Sequence, residues 1–317
     1  MDNSTATAGF GDPQVSSANP GKIAPELAAL HAKLGKLVVN RWTYRLLRVF
    51  GGLLRPKFVA DGVMLEEVHE GRAAFTIITP LERLRPGALI LFHGGGYVFG
   101  ARQDIFPKAA AMAKALGVPV ICPSYRLAPQ APFPAALDDG HAAWQAVLAR
   151  ANTLGIDPAK IVVGGYSAGG GLAASLVQRL HSEGGTQPAA QLLIYPMLDP
   201  ATAELGELDA LRHSVWSNGN NRFAWDAYLG AGSGSRPYAI PARHTDLSGL
   251  PPAWVGVGTC DLFLDEDRAY AARLQAAGVA VTYEEVAGGI HAFDMDENPL
   301  AKAFTAAQIA FAKAYVA

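Results

Sequence analysis

Charge is scarce in this chain. Asp, Glu, Lys and Arg make up 17% of its 317 residues, against about a quarter in an ordinary globular protein. The two signs nearly cancel, leaving a net charge of −2, which excludes nucleic acid or another polyanion as the main partner. Cysteine is scarcer still. Cys122 and Cys260 lie in separate apolar segments, too few for a disulfide framework and without the paired spacing of a zinc site. Both read as reduced, buried, small hydrophobes. No group of His, Asp and Glu has metal-ligand spacing, and no apolar run approaches the length that spans a bilayer. Residues 1–20, rich in Ser, Thr, Asn, Gly and Pro, lack the basic start and apolar stretch of a signal peptide. They read as a flexible tail, with the cytoplasm as the expected location. What remains is a half-hydrophobic chain, long enough for one large α/β domain with an accessory element.

The segment with most chemical content is Gly165-Tyr166-Ser167-Ala168-Gly169. The apolar run Ile161–Gly164 before it reads as a buried strand, and Gly170–Val177 after it as a helix. A serine between glycines at a strand-to-helix junction is what a nucleophile elbow requires. The turn is so tight that flanking side chains would strike backbone. It lifts the serine oxygen above the sheet, beside helix N–H groups that favour negative charge. The plainer alternative is a Gly/Ser loop that matches five letters, and the strand-turn-helix context argues against it.

Around this motif short Val- and Ile-rich runs alternate with helical segments. Strands are predicted near 57–63, 72–79, 88–92, 118–124, 160–164, 190–195, 253–258 and 279–286, and helices near 104–116, 133–150, 168–183, 264–277 and 299–315. That alternation predicts an α/β fold, a mostly parallel eight-stranded sheet with helices on both faces. The first two strands follow each other without a helix and are expected to pair antiparallel. Upstream, Leu27, Leu30, Leu34 and Leu37, then Trp42, Leu46, Val49 and Leu53, form one helical stripe over 22–54. The stretch 197–250 is long, irregular and rich in Gly, Asn, Ser and aromatics, and reads as part of a lid. The expected organisation is a tail over 1–20, cap helices over 21–54, a core over 55–196 and 251–317, and a cap insertion over 197–250.

A serine nucleophile needs a base, and the base needs an orienting acid. His291, in a glycine-rich loop after the last predicted strand, emerges at the same sheet edge as the elbow. The acid is expected between Ser and His in sequence. Asp261 lies closest to the end of the strand at 253–258, although capping the next helix is its plainer role. Asp265 is the reserve, and Asp294 and Asp296 lie too near His291 along the chain for the expected order. Acyl transfer also needs N–H donors for an oxyanion. Ala168 supplies one, and the loop His93-Gly94-Gly95-Gly96-Tyr97 after the run 88–92 offers others through bare glycine backbone. A phosphate cradle is the competing reading of that loop, but no Lys-Ser/Thr follows it.

Together His93–Gly96, Tyr125-Arg126-Leu127-Ala128-Pro129, Pro132–Ala136, the Ser167 elbow, Asp261 and His291 resemble the bacterial hormone-sensitive-lipase-like (family IV) esterases of the α/β-hydrolase superfamily. The resemblance runs over about 85–295 and implies an α/β-hydrolase fold with a helical cap and a carboxylesterase that needs no cofactor. It also implies Ser167, His291 and Asp261 as catalytic residues, with Gly95, Gly96 and Ala168 as oxyanion donors and His93 as support for the glycine loop. Tyr97, Tyr166, Trp216 and Phe223 are the candidate lining of an apolar pocket for short to medium acyl esters. Three positions depart from the family pattern: Tyr166 stands where Asp is usual, Gln130-Ala131 replaces Glu-His, and Leu262-Phe263 replaces Pro-Leu. The same groups would serve an amidase. A non-catalytic receptor on this scaffold is a further alternative, disfavoured because the Ser, His and Asp are all present. Between Lys22 and Lys57 eight basic residues face one acid, Glu26. The expected role is a solvated cap-helix face rather than a lipid-surface anchor. An exposed last strand would permit homodimers, as in related proteins.

Overall fold

The run Ala88–Phe92 is apolar at every position, and a strand hides such a run only when both its faces are covered. It forms β3, fully buried throughout. The computed structural model describes residues 21–34, 37–53, 58–59, 61–211, 213–232 and 234–317; the expected tail over 1–20 lies outside them. Beside β3 stand β1 (Val63–Glu70), β2 (Ala73–Pro80), β4 (Val120–Pro123), β5 (Ile161–Tyr166), β6 (Ala190–Ile194), β7 (Ala253–Gly258) and β8 (Val281–Val286). They form one eight-stranded sheet in the order β1-β2-β4-β3-β5-β6-β7-β8. β2 is antiparallel to both β1 and β4, and every other pairing is parallel.

The helices, in chain order, are α1 (Ala28–Leu34), α2 (Thr43–Leu53), α3 (Phe106–Leu116), α4 (Ala135–Leu154), α5 (Ala168–Glu183), α6 (Ala201–Glu204), α7 (Leu208–Leu211), α8 (Asn218–Leu229), α9 (Leu264–Ala276) and α10 (Pro299–Val316). α4 packs on α5 and α3 on α10, the two pairs clothing the sheet. Because β3, β5, β6, β7 and β8 run parallel, the loops that follow them emerge at one sheet edge.

Three expectations need correction. β1 begins at Val63 rather than spanning 57–63, because only Val63 and Val68 of its eight residues are buried. A solvent-facing edge strand carries little hydrophobic signal to read. The stretch 197–250 is not irregular throughout, since it contains α6, α7 and the three-turn α8. Ser217 caps α8 by accepting from the Asn220 N–H, and Gly230 ends it.

The upstream stripe also breaks. Leu27 and Leu30 are buried, but Trp42 is 72% and Leu53 74% exposed, with Leu46 and Val49 exposed between them. Asn40 accepts from the N–H groups of Trp42 and Thr43 and starts a new helix, so the phase of α1 is not continued. α2 instead turns Tyr44 inward. Arg48, counted among the solvated charges, donates into the body, to the carbonyls of Val98 (2.7 Å) and Ala128 (2.6 Å) and to Gln130. The N-terminal segment also meets the insertion. The Val39 N–H donates to Asn220 Oδ1 at 2.8 Å, Asn220 Nδ2 donates to the Leu37 carbonyl at 2.9 Å, and Tyr44 packs on Phe223.

Candidate active site

The Ser167 turn is built from close backbone approach. A Cβ on Gly165 would stand 2.2 Å from the Gly169 carbonyl oxygen, so no side chain fits there. Ser167 itself adopts φ +55°, ψ −119°, a strained conformation for a residue with a side chain. Its N–H donates to the Ile194 carbonyl, and its carbonyl accepts from Gly171 and Met197. These bonds tie the turn to the end of β6 and the start of α5.

The other two side chains arrive from loops sewn together beyond β7 and β8. The Cys260 N–H donates to the Gly289 carbonyl at 2.8 Å, Thr259 N–H to Val286, and Gly288 N–H to Thr259 Oγ1. Asp261 Oδ1 accepts from the Phe263 N–H at 3.0 Å, a turn just ahead of α9 rather than the helix cap weighed for it, since Phe263 is itself the N-cap and no side chain caps it. Asp261 Oδ2 lies 2.8 Å from His291 Nδ1, and His291 Nε2 lies 2.9 Å from Ser167 Oγ. A carboxylate only accepts, so Nδ1 carries the proton and Nε2 is left to accept from the serine hydroxyl. Asp261 is fully buried and Ser167 and His291 nearly so. The imidazole is walled by the rings of Tyr195 (5.0 Å), Phe263 (5.1 Å) and Trp216 (6.4 Å). Charge interactions in so dry a setting are stronger than in water. Asp265 faces Arg268 on α9, and Asp294 bonds Tyr195 and Lys108.

The glycine loop follows β3 directly. Gly95 adopts φ +113° and Gly96 φ +57°, and a Cβ on Gly96 would fall 2.3 Å from the Trp216 ring. Among the described residues, no backbone carbonyl accepts from the Gly95 or Gly96 N–H. The Ala168 N–H is in the first turn of α5, where helical N–H groups have no partner within the helix. His93 stacks on Tyr125 at 4.3 Å, and its Nδ1 lies 2.7 Å from the Gly94 carbonyl.

The four pocket candidates separate. Trp216 reaches both the glycine loop and His291. Half-buried Phe223 lies against Tyr44 of α2. Tyr97 is buried. It adopts φ +61°, which turns its ring into the core to stack on Tyr228 at 3.8 Å. Tyr166 is likewise buried, between Lys108 and Tyr195. Sequence reading missed Glu266. Buried on α9, it accepts from the N–H groups of Leu198 (2.7 Å) and Asp199 and from the Thr202 hydroxyl, fixing the start of the insertion. Burial pushes its carboxyl up to about 8 despite these donors.

A family model described as the alpha/beta hydrolase fold matches residues 89–295. The carboxylesterase NlhH of Mycobacterium tuberculosis is 34% identical over 227 residues, 68% of each chain. Among solved structures, a bacterial heroin esterase superposes with a TM-score of 0.85 at 32% identity, covering 93% of this chain and 98% of its own. An esterase of the bacterial hormone-sensitive lipase family gives a TM-score of 0.81 at 28% identity, covering 94% and 100%. The chain belongs to the hormone-sensitive-lipase-like esterases of the α/β-hydrolase fold. As a member it is an ester hydrolase, and the alignments with its curated relatives span about two thirds of their length. Among the described residues, no helix of this esterase is long and apolar enough to cross a membrane.

Proposed function

We propose that this esterase hydrolyses short- to medium-chain acyl esters of small molecules through an acyl-enzyme on Ser167. The observation that carries the reading is the unbroken relay from Asp261 through His291 to Ser167, at 2.8 and 2.9 Å. Ser167 attacks the ester carbonyl as His291 accepts its proton. The oxyanion forms against the N–H groups of Gly95, Gly96 and Ala168, each worth about 3 kcal/mol of barrier in comparable enzymes. His291 returns the proton to the departing alcohol, and water repeats the sequence. Asp261 keeps the ring in its working tautomer. In this reading residues 21–54 and 197–250 form one cap over residues 55–196 and 251–317, and its aromatic side chains bound the acyl pocket. The cytoplasm is the proposed location, in keeping with two buried cysteines, Cys122 and Cys260, that form no disulfide. β8, at the sheet margin, offers a backbone row for a homodimer.

Ser167→Ala tests the mechanism with p-nitrophenyl acetate, butyrate and longer esters. The expected result is a fall in kcat of about 10⁶-fold, with the parent preferring the shorter chains. Turnover within tenfold of the parent would defeat the assignment.

A further inference from the structure

We propose that Asp294, clamped between Lys108 and Tyr195, is a positioning residue that keeps the His291 imidazole between Asp261 and Ser167. The inference rests on the acyl-enzyme reading above and concerns how its base is held.

The loop that carries His291 is strained. Ala292 adopts φ +55°, and a side-chain-bearing residue in that region persists only where its surroundings over-determine it. Two residues further on, the Asp294 side chain is fully buried. Its Oδ1 accepts from the Tyr195 hydroxyl at 2.6 Å and its Oδ2 from Lys108 Nζ, and Lys108 also donates to the Asp294 carbonyl at 2.7 Å. The loop is thus pinned at one residue by both its side chain and its backbone, from α3 on one side and the end of β6 on the other.

One partner touches the base, and the other touches the residue beside the nucleophile. The Tyr195 ring meets the imidazole edge-on at 5.0 Å, and its N–H donates to the Gly256 carbonyl at 2.7 Å, so it cannot drift from the sheet. Burial, and after it the charge of Asp294, pushes the Tyr195 hydroxyl well up, which keeps it a donor. The Lys108 ammonium lies 5.2 Å over the ring of Tyr166, the residue before the nucleophile. This gives the unusual Tyr166 a role. An aspartate there would set a second carboxylate beside this buried pair, whereas an aromatic face receives the ammonium without one. Asp294 is buried but Lys108 is partly exposed, and an ion pair open to solvent on one side adds little to stability, so its position three residues from the base is better explained by placement.

The test compares Asp294→Asn, Lys108→Met, the double variant and Lys108→Arg with the parent. Turnover of p-nitrophenyl butyrate is read per Ser167 titrated by diethyl p-nitrophenyl phosphate. Asn and Met should each lower kcat about ten- to a hundredfold, the scale of a misplacement near 1 Å, and leave KM within about twofold of the parent. The double variant should be no worse than the worse single, because the two residues act as one clamp. Lys108→Arg, which keeps the charge, should recover most of kcat. Unchanged kcat in both single variants, or a loss confined to KM, would overturn the inference. Should Asp294→Asn fail to fold, Lys108→Met and the neutral double variant still decide it. A parent whose Ser167 takes up no phosphate would defeat the acyl-enzyme reading itself, a result distinguishable from the others.

Discussion

At the scale of single residues, the proposed chemistry depends on a proton held on the correct nitrogen. Asp261 fixes Nδ1–H at 2.8 Å. Asp261→Asn keeps the shape but presents an amide, so it favours the wrong tautomer, and kcat should fall about 10⁴-fold with KM nearly unchanged. A fall below tenfold in steady-state kinetics would mean that Asp261 serves only to hold the turn through the Phe263 N–H. Gly165→Ala should abolish activity for a steric reason, since its methyl would sit 2.2 Å from a carbonyl oxygen. Loss of activity with a shifted near-ultraviolet circular dichroism spectrum is the expected signature. Ser167, Asp261 and His291 were legible in the sequence because acyl transfer demands those types at strand ends in that order. The Lys108–Asp294 pair was not, since its members stand 186 positions apart and neither belongs to a motif. The stacking of Tyr97 on Tyr228 was not legible either, because adjacency to the glycines says nothing about φ.

Among the elements, the segment before the sheet was the hardest to read. Its apolar stripe suggested one continuous buried face, yet Asn40 restarts the helix and α2 shows Trp42, Leu46, Val49 and Leu53 to solvent. Periodicity records spacing, and it does not carry phase across a break. α8 was missed for the opposite reason: its signals are a Ser217 cap and a Gly230 stop, while four of its first five residues are Asn or Arg. Asn220 joins these two elements through Val39 and Leu37. Asn220→Ala should therefore speed amide hydrogen exchange over 37–53 and leave the sheet strands protected, since local openings lie below the global free energy. Equal acceleration across the whole chain would contradict a local staple. The interior strands β3, β5, β6 and β7 were located within two residues because buried parallel strands are apolar without interruption, and β1 was displaced because it is mostly exposed.

For the molecule as a whole, one sheet edge gathers loops from β3, β5, β6, β7 and β8, and α9 ties that edge to the insertion through the buried Glu266. Glu266 is pushed up to about 8 by burial, and Asp267, also fully buried, is raised by burial and then by the charges of Glu266 and Asp261. Between the ordinary carboxyl range near 4.5 and about 8, the folded state holds a proton on Glu266 that the unfolded chain has released. Stability should therefore decline as pH rises through that window. Glu266→Gln should flatten the decline in urea unfolding, and stability rising with pH over the same range in the parent would contradict the assignment.

The central claim is that Ser167 is the acylated nucleophile. Diethyl p-nitrophenyl phosphate reads this directly. One equivalent should release one p-nitrophenolate, activity should vanish in proportion, and peptide mass spectrometry should find the phosphate on Ser167 alone. Ester turnover that persists once Ser167 is fully modified would contradict the account.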